Sequence, residues 1–164
     1  MSILFSSDRI DFVSVSETLI PDYLEMVNDY EHVGKPIGSK QKTYTAADEQ
    51  KWVRTKLEEH AQVYSMLERG SGAFIGNIEL MDPEDESAEL GIAITARMQE
   101  QGYGTEGITR LIRYGFQELG FKRICLRVFP ENLRAIHVYE KCGFREYDRT
   151  NDDVFMEIFA PTEV

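Results

Sequence analysis

Cysteine is scarce. Cys125 and Cys142 are the only two in 164 residues, and their spacing is neither a metal-ligand nor a redox motif. No disulfide framework is expected, and the expected compartment is the reducing cytoplasm. Long apolar runs are missing as well. No stretch approaches the ~20 residues of a membrane span, and the opening MSILFSSDRI lacks the basic end and long apolar core of a signal peptide. Positive charge is short: 18 Lys and Arg stand against 29 Asp and Glu, a formal net charge of −11. Nucleic acid is a poor partner for such a chain, because its phosphates demand a basic face. His32, His60 and His137 show no metal-ligand spacing, so no metal site is expected. Repeats, low-complexity tracts and linkers are absent too, and residues 1–164 read as one domain. A chain of this length buries roughly 70% of its unfolded surface and needs no staples.

The charge that is present is unevenly spread. Ile10 to Gly34 carries six acids (Asp11, Glu17, Asp22, Glu25, Asp29, Glu31) and no Lys or Arg. Arg97 to Arg149 carries ten Lys and Arg against seven acids. The second region also holds the most informative glycines. Around it, hydrophobic spacing predicts a strand at Arg9–Val15 and a helix behind an N-cap at Ser16. VGKPIGSK reads as a loop, and Thr45 as the cap of a second helix. Strands follow at Gln62–Leu67 and Phe74–Met81, and DPEDES turns the chain back into the strand AELGIAIT. Then come a helix from about Gly104 to Leu119, the strand KRICLRVF, the helix NLRAIHVYEKC and a closing pair of strands.

AELGIAIT, helix, KRICLRVF is a strand–crossover–strand unit, which places its two strands parallel with a right-handed crossover. Both strands then end on one edge, where open sheets bind ligands. The glycine loop follows one strand and PENLRA the other. Gly102, Gly104 and Gly107 spell a literal G-x-G-x-x-G, the fingerprint of a dinucleotide-binding turn. Two facts oppose that reading. Six residues separate Thr95 from Gly102, whereas the dinucleotide turn follows its strand directly; and the strand is not an early one in a long doubly wound sheet. No Lys-Ser/Thr follows, so a Walker loop is excluded. What remains is an anion nest at a helix N-terminus, or a helix start that needs a tight turn.

Gln99-x-x-Gly102-x-Gly104, followed by a helix, a strand and Asn132-x-x-Ala135-x-x-x-Tyr139-x-Lys141-x-Gly143-Phe144, resembles the GNAT superfamily of acetyl-CoA-dependent N-acetyltransferases. TAADEQKWV is similar to the second-helix segment of the branch containing ribosomal-protein-alanine and spermidine acetyltransferases. The resemblance implies an α/β GNAT fold: a mixed, mostly antiparallel sheet of six or seven strands with four helices, its fourth and fifth strands parallel and splayed. It implies that acetyl-CoA lies with its pyrophosphate on Gln99, Glu100, Gln101, Gly102, Tyr103, Gly104 and Thr105, mainly through backbone N–H groups. Its pantetheine arm would run beside the fourth strand, bonding to backbone near Ile92 and Ile94, with Asn132 and Ala135 at the next helix. Asn132 is also a favoured N-cap. Tyr139 matches the family's proton donor to the leaving thiolate, and is equally placed to be a packing aromatic beside Ile136.

The chemistry needs a base for the acceptor ammonium. Glu89, on one strand face with Gly91 and Ala93, is one candidate, and Glu79 the second. If Met81 pairs with Ser87 the two carboxylates face each other, and one pKa rises; a one-residue slip separates them. The implied reaction is direct acetyl transfer to a primary amine, either a protein N-terminus or a small cationic amine. In this family the first strand–helix segment helps wall the acceptor side, so its six acids are expected to concentrate cations. The alternative is a non-catalytic acyl-CoA-binding sensor of the same fold. Family members are often dimers, and nothing in the sequence sets the oligomeric state; no membrane or nucleic-acid partner is expected.

Overall fold

Alternation of apolar and polar residues builds one eight-stranded sheet in a computed structural model that describes residues 1–162. The strands are β1 (Ile3–Ser6), β2 (Ile10–Ser14), β3 (Gln62–Glu68), β4 (Phe74–Glu84), β5 (Ser87–Ile94), β6 (Arg123–Val128), β7 (Arg145–Arg149) and β8 (Val154–Phe159). Their spatial order is β1-β2-β3-β4-β5-β6-β8-β7. Every neighbouring pair is antiparallel except β5 and β6.

Three expectations are corrected here. The sheet has eight strands, not six or seven, because β1 hairpins back onto β2. Only Phe5 of β1 is buried, so this edge strand leaves no alternation to read. With one more strand ahead of them, the parallel pair is the fifth and sixth rather than the fourth and fifth. Five helices form among the described residues where four were expected: α1 (Ile20–Val27), α2 (Ala46–Glu58), α3 (Tyr103–Gln117), α4 (Leu133–Lys141) and one π-helical segment. That segment, Tyr30–Gly34, is added where the loop expected at Val33–Lys40 begins. The Asp29 carboxylate accepts from the His32 N–H at its start.

Helices cover both faces of the sheet. Ile108, Leu111 and Ile112 of α3 pack with α4 against Ile78, Leu80, Ile124 and Met156. On the other face, Tyr23 and Met26 of α1 and Val53 of α2 pack against Val13, Val63 and Phe74. α2 starts on a full capping box: the Thr45 hydroxyl accepts from the Asp48 N–H, and the Asp48 carboxylate accepts from the Thr45 N–H. α3 ends just before Gly120, whose φ of +78° only glycine adopts freely.

The β4–β5 hairpin turns on two residues, Asp85 and Glu86, both left-handed at φ 48° and 65°, as a two-residue hairpin loop requires. β4 also carries an irregularity between Met81 and Glu84, with Asp82 at φ 47°. The register therefore pairs Met81 with Glu89 and Glu79 with Gly91. Met81 does not pair with Ser87. Because the offset is two residues, Glu79 and Glu89 still share a face, as diagonal rather than direct neighbours.

Phe5 stacks on Phe12 at 4.5 Å and on Tyr114 at 4.0 Å, joining the edge hairpin to α3. Phe5→Ala should cost about 3 kcal/mol and lower Tm by roughly 6–12 °C for a chain of this size. Thermal melting followed by circular dichroism checks this. A Tm within about 2 °C of wild type, less than a 1 kcal/mol loss would produce, would show that β1 contributes little to the fold.

Candidate active site

The parallel ladder between β5 and β6 is short. It pairs Ser87 with Arg123, Ala88 with Ile124 and Glu89 with Cys125, and then stops. β5 runs on from Leu90 to Ile94 with β4 on one side and no β6 partner on the other. A cavity of about 1150 Å³ opens at this split. Its floor is β4 and β5, one wall is α2, and the opposite wall carries Phe129, Asn132 and Tyr139. Pockets for single drug-sized ligands run ~300–1,000 Å³, so this cleft has room for two reactants.

The glycine loop closes one end of β5 and does not line the cavity. Gly102 is the N-cap of α3 at φ +85°, a left-handed backbone that favours glycine. No side chain caps α3, whereas Thr45 caps α2 and Asn132 caps α4. The first N–H groups of α3 are thus left as donors at the positive end of a 15-residue helix. A Cβ on Gly104 would meet the Ile94 Cδ1 at 3.4 Å, which sets this loop against the end of β5. Gly107 serves packing instead. Its Cβ would press the Met66 sulfur at 2.8 Å, so glycine here lets α3 lie close to the sheet. The three glycines of the apparent dinucleotide pattern therefore do not act together.

The loop's side chains are used structurally. The Gln99 amide donates to the Ile94 and His32 carbonyls at 2.9 and 3.0 Å, tying loop, strand and π turn together. The Gln101 amide donates to the Arg97 carbonyl, Glu100 pairs with Arg134 at 3.0 Å, and the buried Tyr103 donates its hydroxyl to Glu68. Thr105 offers its carbonyl to the Cys142 thiol. Ile92 lines the cavity; Ile94 does not. Asn132 does line it, but its Oδ1 accepts from the Ala135 N–H and its amide donates to the Pro36 carbonyl at 3.4 Å. The capping role is present in full.

Glu79, Glu89 and Tyr139 all line the cavity. Tyr139 also packs edge-on to Phe144 at 6.0 Å, and burial pushes its hydroxyl up to about 12. The Glu79 carboxylate lies over Gly91: a Cβ there would sit 3.4 Å from Oε1. Glycine at 91 leaves the space that the carboxylate occupies. Burial raises the Glu79 pKa, Asp82 adds to the rise, and Lys56 at 3.8 Å draws it partly back. Glu89 faces Arg127 at 3.8 Å, beside the last parallel rung.

The six acids of Ile10–Gly34 are not the acidic wall of this cavity. Each has a partner: Asp11 with Arg69, Glu17 with Arg54, Asp22 and Glu25 with Arg97, Asp29 with His32 and Glu31 with Lys35. α1 contributes Tyr23, Met26 and Val27 to the wall instead. The acids that reach the cavity are Asp48 and Glu49 of α2, Glu79, Asp82 and Glu89 of the β4–β5 hairpin, and Asp153 ahead of β8. One of them, Glu49, is not among the residues that motif and spacing point to. A subtler signal does exist: Glu49, Trp52 and Val53 share one helical face, so an acid falls in an apolar stripe.

An acetyltransferase (GNAT) domain model matches residues 9–145. The chain belongs to the GNAT acetyltransferase family. Spermidine N(1)-acetyltransferase of Vibrio cholerae is 31% identical over 116 residues, 69% of this chain and 67% of that protein. A GNAT acetyltransferase structure from Bacillus anthracis superposes with a TM-score of 0.82 at 21% identity, covering 97% of this chain and 98% of that one. The Vibrio cholerae spermidine acetyltransferase in complex with CoA and spermine superposes at 0.81 and 21% identity, over 93% and 96%. Family membership makes the chain an N-acetyltransferase with acetyl-CoA as cosubstrate. Its residues fit that molecule: α3 presents uncapped donors for an anion, and β5 an open edge for an extended arm. Among the described residues no helix is long and apolar enough to cross a membrane, and no cluster of three metal-ligating side chains occurs.

A tyrosine titrating near 12 keeps its proton through the whole neutral range. In ultraviolet titration, the difference between wild type and Tyr139→Phe should show one phenolate appearing at about pH 12. A midpoint near the ordinary value of ~10 would mean that Tyr139 is solvated.

Proposed function

We propose that the protein transfers the acetyl group of acetyl-CoA directly to a primary amine of a small cationic molecule, with both reactants bound at once. The observation that carries this reading is the meeting of a half-buried carboxylate, Glu79, and a half-buried phenol, Tyr139, in the cavity at the β5–β6 split. The backbone N–H groups at the start of α3 would hold the pyrophosphate. The open edge of β5 at Ile92 and Ile94 would hold the pantetheine arm.

An amine acceptor arrives mostly as ammonium, and only the free amine attacks a thioester. Glu79 is the better placed base of the two candidates. Its raised pKa brings the carboxylate toward the working range of a general base, and it lies over the small residue Gly91. Glu79 takes the ammonium proton, the nitrogen attacks the carbonyl carbon, the carbon–sulfur bond breaks and Tyr139 gives its proton to the departing sulfur; the nitrogen sheds its second proton as the amide forms, which restores the Tyr139 phenol. Glu89, paired with Arg127, would help set the field of the acceptor site. A cationic acceptor is supported by the acids on the cavity wall, and by relatives whose names say that they act on spermidine or bind spermine. A protein N-terminus is the other acceptor of this chemistry. Acetyl-CoA binding with no thiol release in the presence of any amine would favour a non-catalytic acyl-CoA sensor.

Tyr139→Phe should lower kcat by about 10²–10⁴-fold, the usual effect of losing a general acid, with CoA affinity nearly level. Glu79→Gln should lower kcat over a similar range and flatten the acid limb of the pH–rate profile, since a base must first lose its proton. Wild-type kcat in Tyr139→Phe would leave Tyr139 as a packing residue. An unchanged acid limb in Glu79→Gln, lost instead in Glu89→Gln, would move the base to Glu89.

Gly104→Val places branched carbons where backbone should meet phosphate. It should weaken CoA binding at least tenfold by calorimetry while the protein stays folded. Unchanged CoA affinity would remove the loop from the cofactor site.

A further inference from the structure

The start of α3 is gripped by residues from two turns at one end of the sheet. Arg9, between β1 and β2, donates through its backbone N–H and its Nε to the two oxygens of Glu106, at 2.8 and 2.7 Å. The Ser7 hydroxyl donates to Glu106 as well, at 2.6 Å. The Arg9 guanidinium lies over the Tyr103 ring at 4.3 Å, and the Tyr103 hydroxyl donates to Glu68 at the end of β3. Arg9 also reaches the glycine loop itself. Its Nη1 donates to the Gln101 carbonyl at 3.0 Å, and a Cβ on Gly102 would sit 3.1 Å from its Nη2.

Two consequences bear on an anion at this helix start. The first is orientation. In a trans peptide the C=O and N–H point in opposite directions. Arg9 holds the carbonyl of the Gln101–Gly102 peptide, so the N–H of Gly102 in that peptide faces away from Arg9. Gly102, at φ +85°, is the residue type with the greatest backbone freedom, and an outside anchor fixes the plane it would otherwise let turn. The second is charge. Glu106 is an acid in the first turn of α3, where an anion would seek the positive end of the helix. Burial alone would raise its carboxyl, but hydrogen bonds from Ser7 and Arg9, with the Arg9 charge, bring it below its usual range. Glu106 is therefore fully charged at neutral pH, and uncancelled it would repel a phosphate. Arg9 cancels it in direct contact. Arg9 itself is exposed, and a surface ion pair adds little to folding, so its loss should be felt in binding more than in stability.

We propose that Arg9 is a positioning residue for the cosubstrate: it fixes the Gln101–Gly102 peptide and neutralises Glu106, so that the start of α3 can accept the pyrophosphate of acetyl-CoA. This rests on the reading of that helix start as the pyrophosphate site. Arg9 acts through Gln101 and Glu106, not on the reacting atoms.

The test is calorimetry with CoA on wild type, Arg9→Gln, Arg9→Lys, Glu106→Gln and the double variant Arg9→Gln/Glu106→Gln, with Gly104→Val as the reference for the loop. Arg9→Gln uncovers Glu106 and should weaken CoA binding roughly 5–30-fold, the range for one charge at a partly buried helix end. Glu106→Gln alone should lose less. The double variant removes both charges and should recover part of the Arg9→Gln loss. Arg9→Lys keeps the charge without the planar fork and should fall between wild type and Arg9→Gln. Dephospho-CoA, which keeps the pyrophosphate, should show the same ratio between wild type and Arg9→Gln as CoA does. In turnover the KM for acetyl-CoA should rise, with smaller changes in kcat and in the KM of the amine. Melting curves establish that each variant is folded at the temperature of the titration; if Arg9→Gln is not, the ratio between Arg9→Lys and wild type decides. Unchanged CoA affinity in the Arg9 variants, or a double variant that binds no tighter than Arg9→Gln, would overturn the proposal while Gly104→Val still loses binding. Equal affinity of wild type and Gly104→Val would instead remove the helix start from the cosubstrate site, and this proposal with it.

Discussion

Where the β5–β6 ladder stops decides the rest of this molecule. Three paired positions hold the two parallel strands together, ending at Glu89 and Cys125. Past them a twisted sheet that diverges leaves backbone groups without strand partners, and such groups must find water or a ligand. The open edge of β5, the uncapped start of α3 and the cavity all follow from that one interruption. On either side of the split the sheet is continuous and packed on both faces. The opening is thus held rigid by the antiparallel ladders that flank it.

Charge is placed with the same economy. The acidic N-terminal segment meets basic partners on the surface, where ion pairs contribute little to stability. Inside the cavity the pattern differs. Glu79 and Glu89 have partners at 3.8 Å, longer than a direct hydrogen bond, and Glu49, Asp82 and Asp153 have none among the described residues. Groups held this way add little to folding and remain free to engage a ligand. A cavity whose carboxylates are loosely matched is suited to an ammonium and poorly suited to an acidic acceptor.

Much of this is legible in the sequence. The crossover unit, its two loops and the N-caps at Ser16 and Thr45 follow from spacing and end signals, because each is set by local physics. β1 is not legible, since a strand with a single buried residue has no periodicity. Its omission displaces the numbering of the parallel pair by one. The hairpin register is not legible either. It depends on an irregularity at Asp82 and on two non-glycine residues holding left-handed backbone at Asp85 and Glu86. The acids of Ile10–Gly34 are legible as a cluster, but their partners come from distant positions such as Arg54, Arg69 and Arg97. Glu49 is visible as an acid in an apolar helical stripe; its lack of a partner is a property of the folded cavity alone.

The most direct measurement is an acceptor panel with acetyl-CoA, following thiol release and identifying the acylated product by mass spectrometry. Polyamines, diamines, aminoglycosides, neutral and acidic amino acids and peptides with free N-termini would be compared at equal concentration. The account predicts amine-dependent thiol release matched one for one by N-acetyl product, fastest for small cationic amines. Turnover confined to neutral or acidic acceptors would contradict it, and so would acetyl-CoA binding with no acceptor-dependent release across the panel.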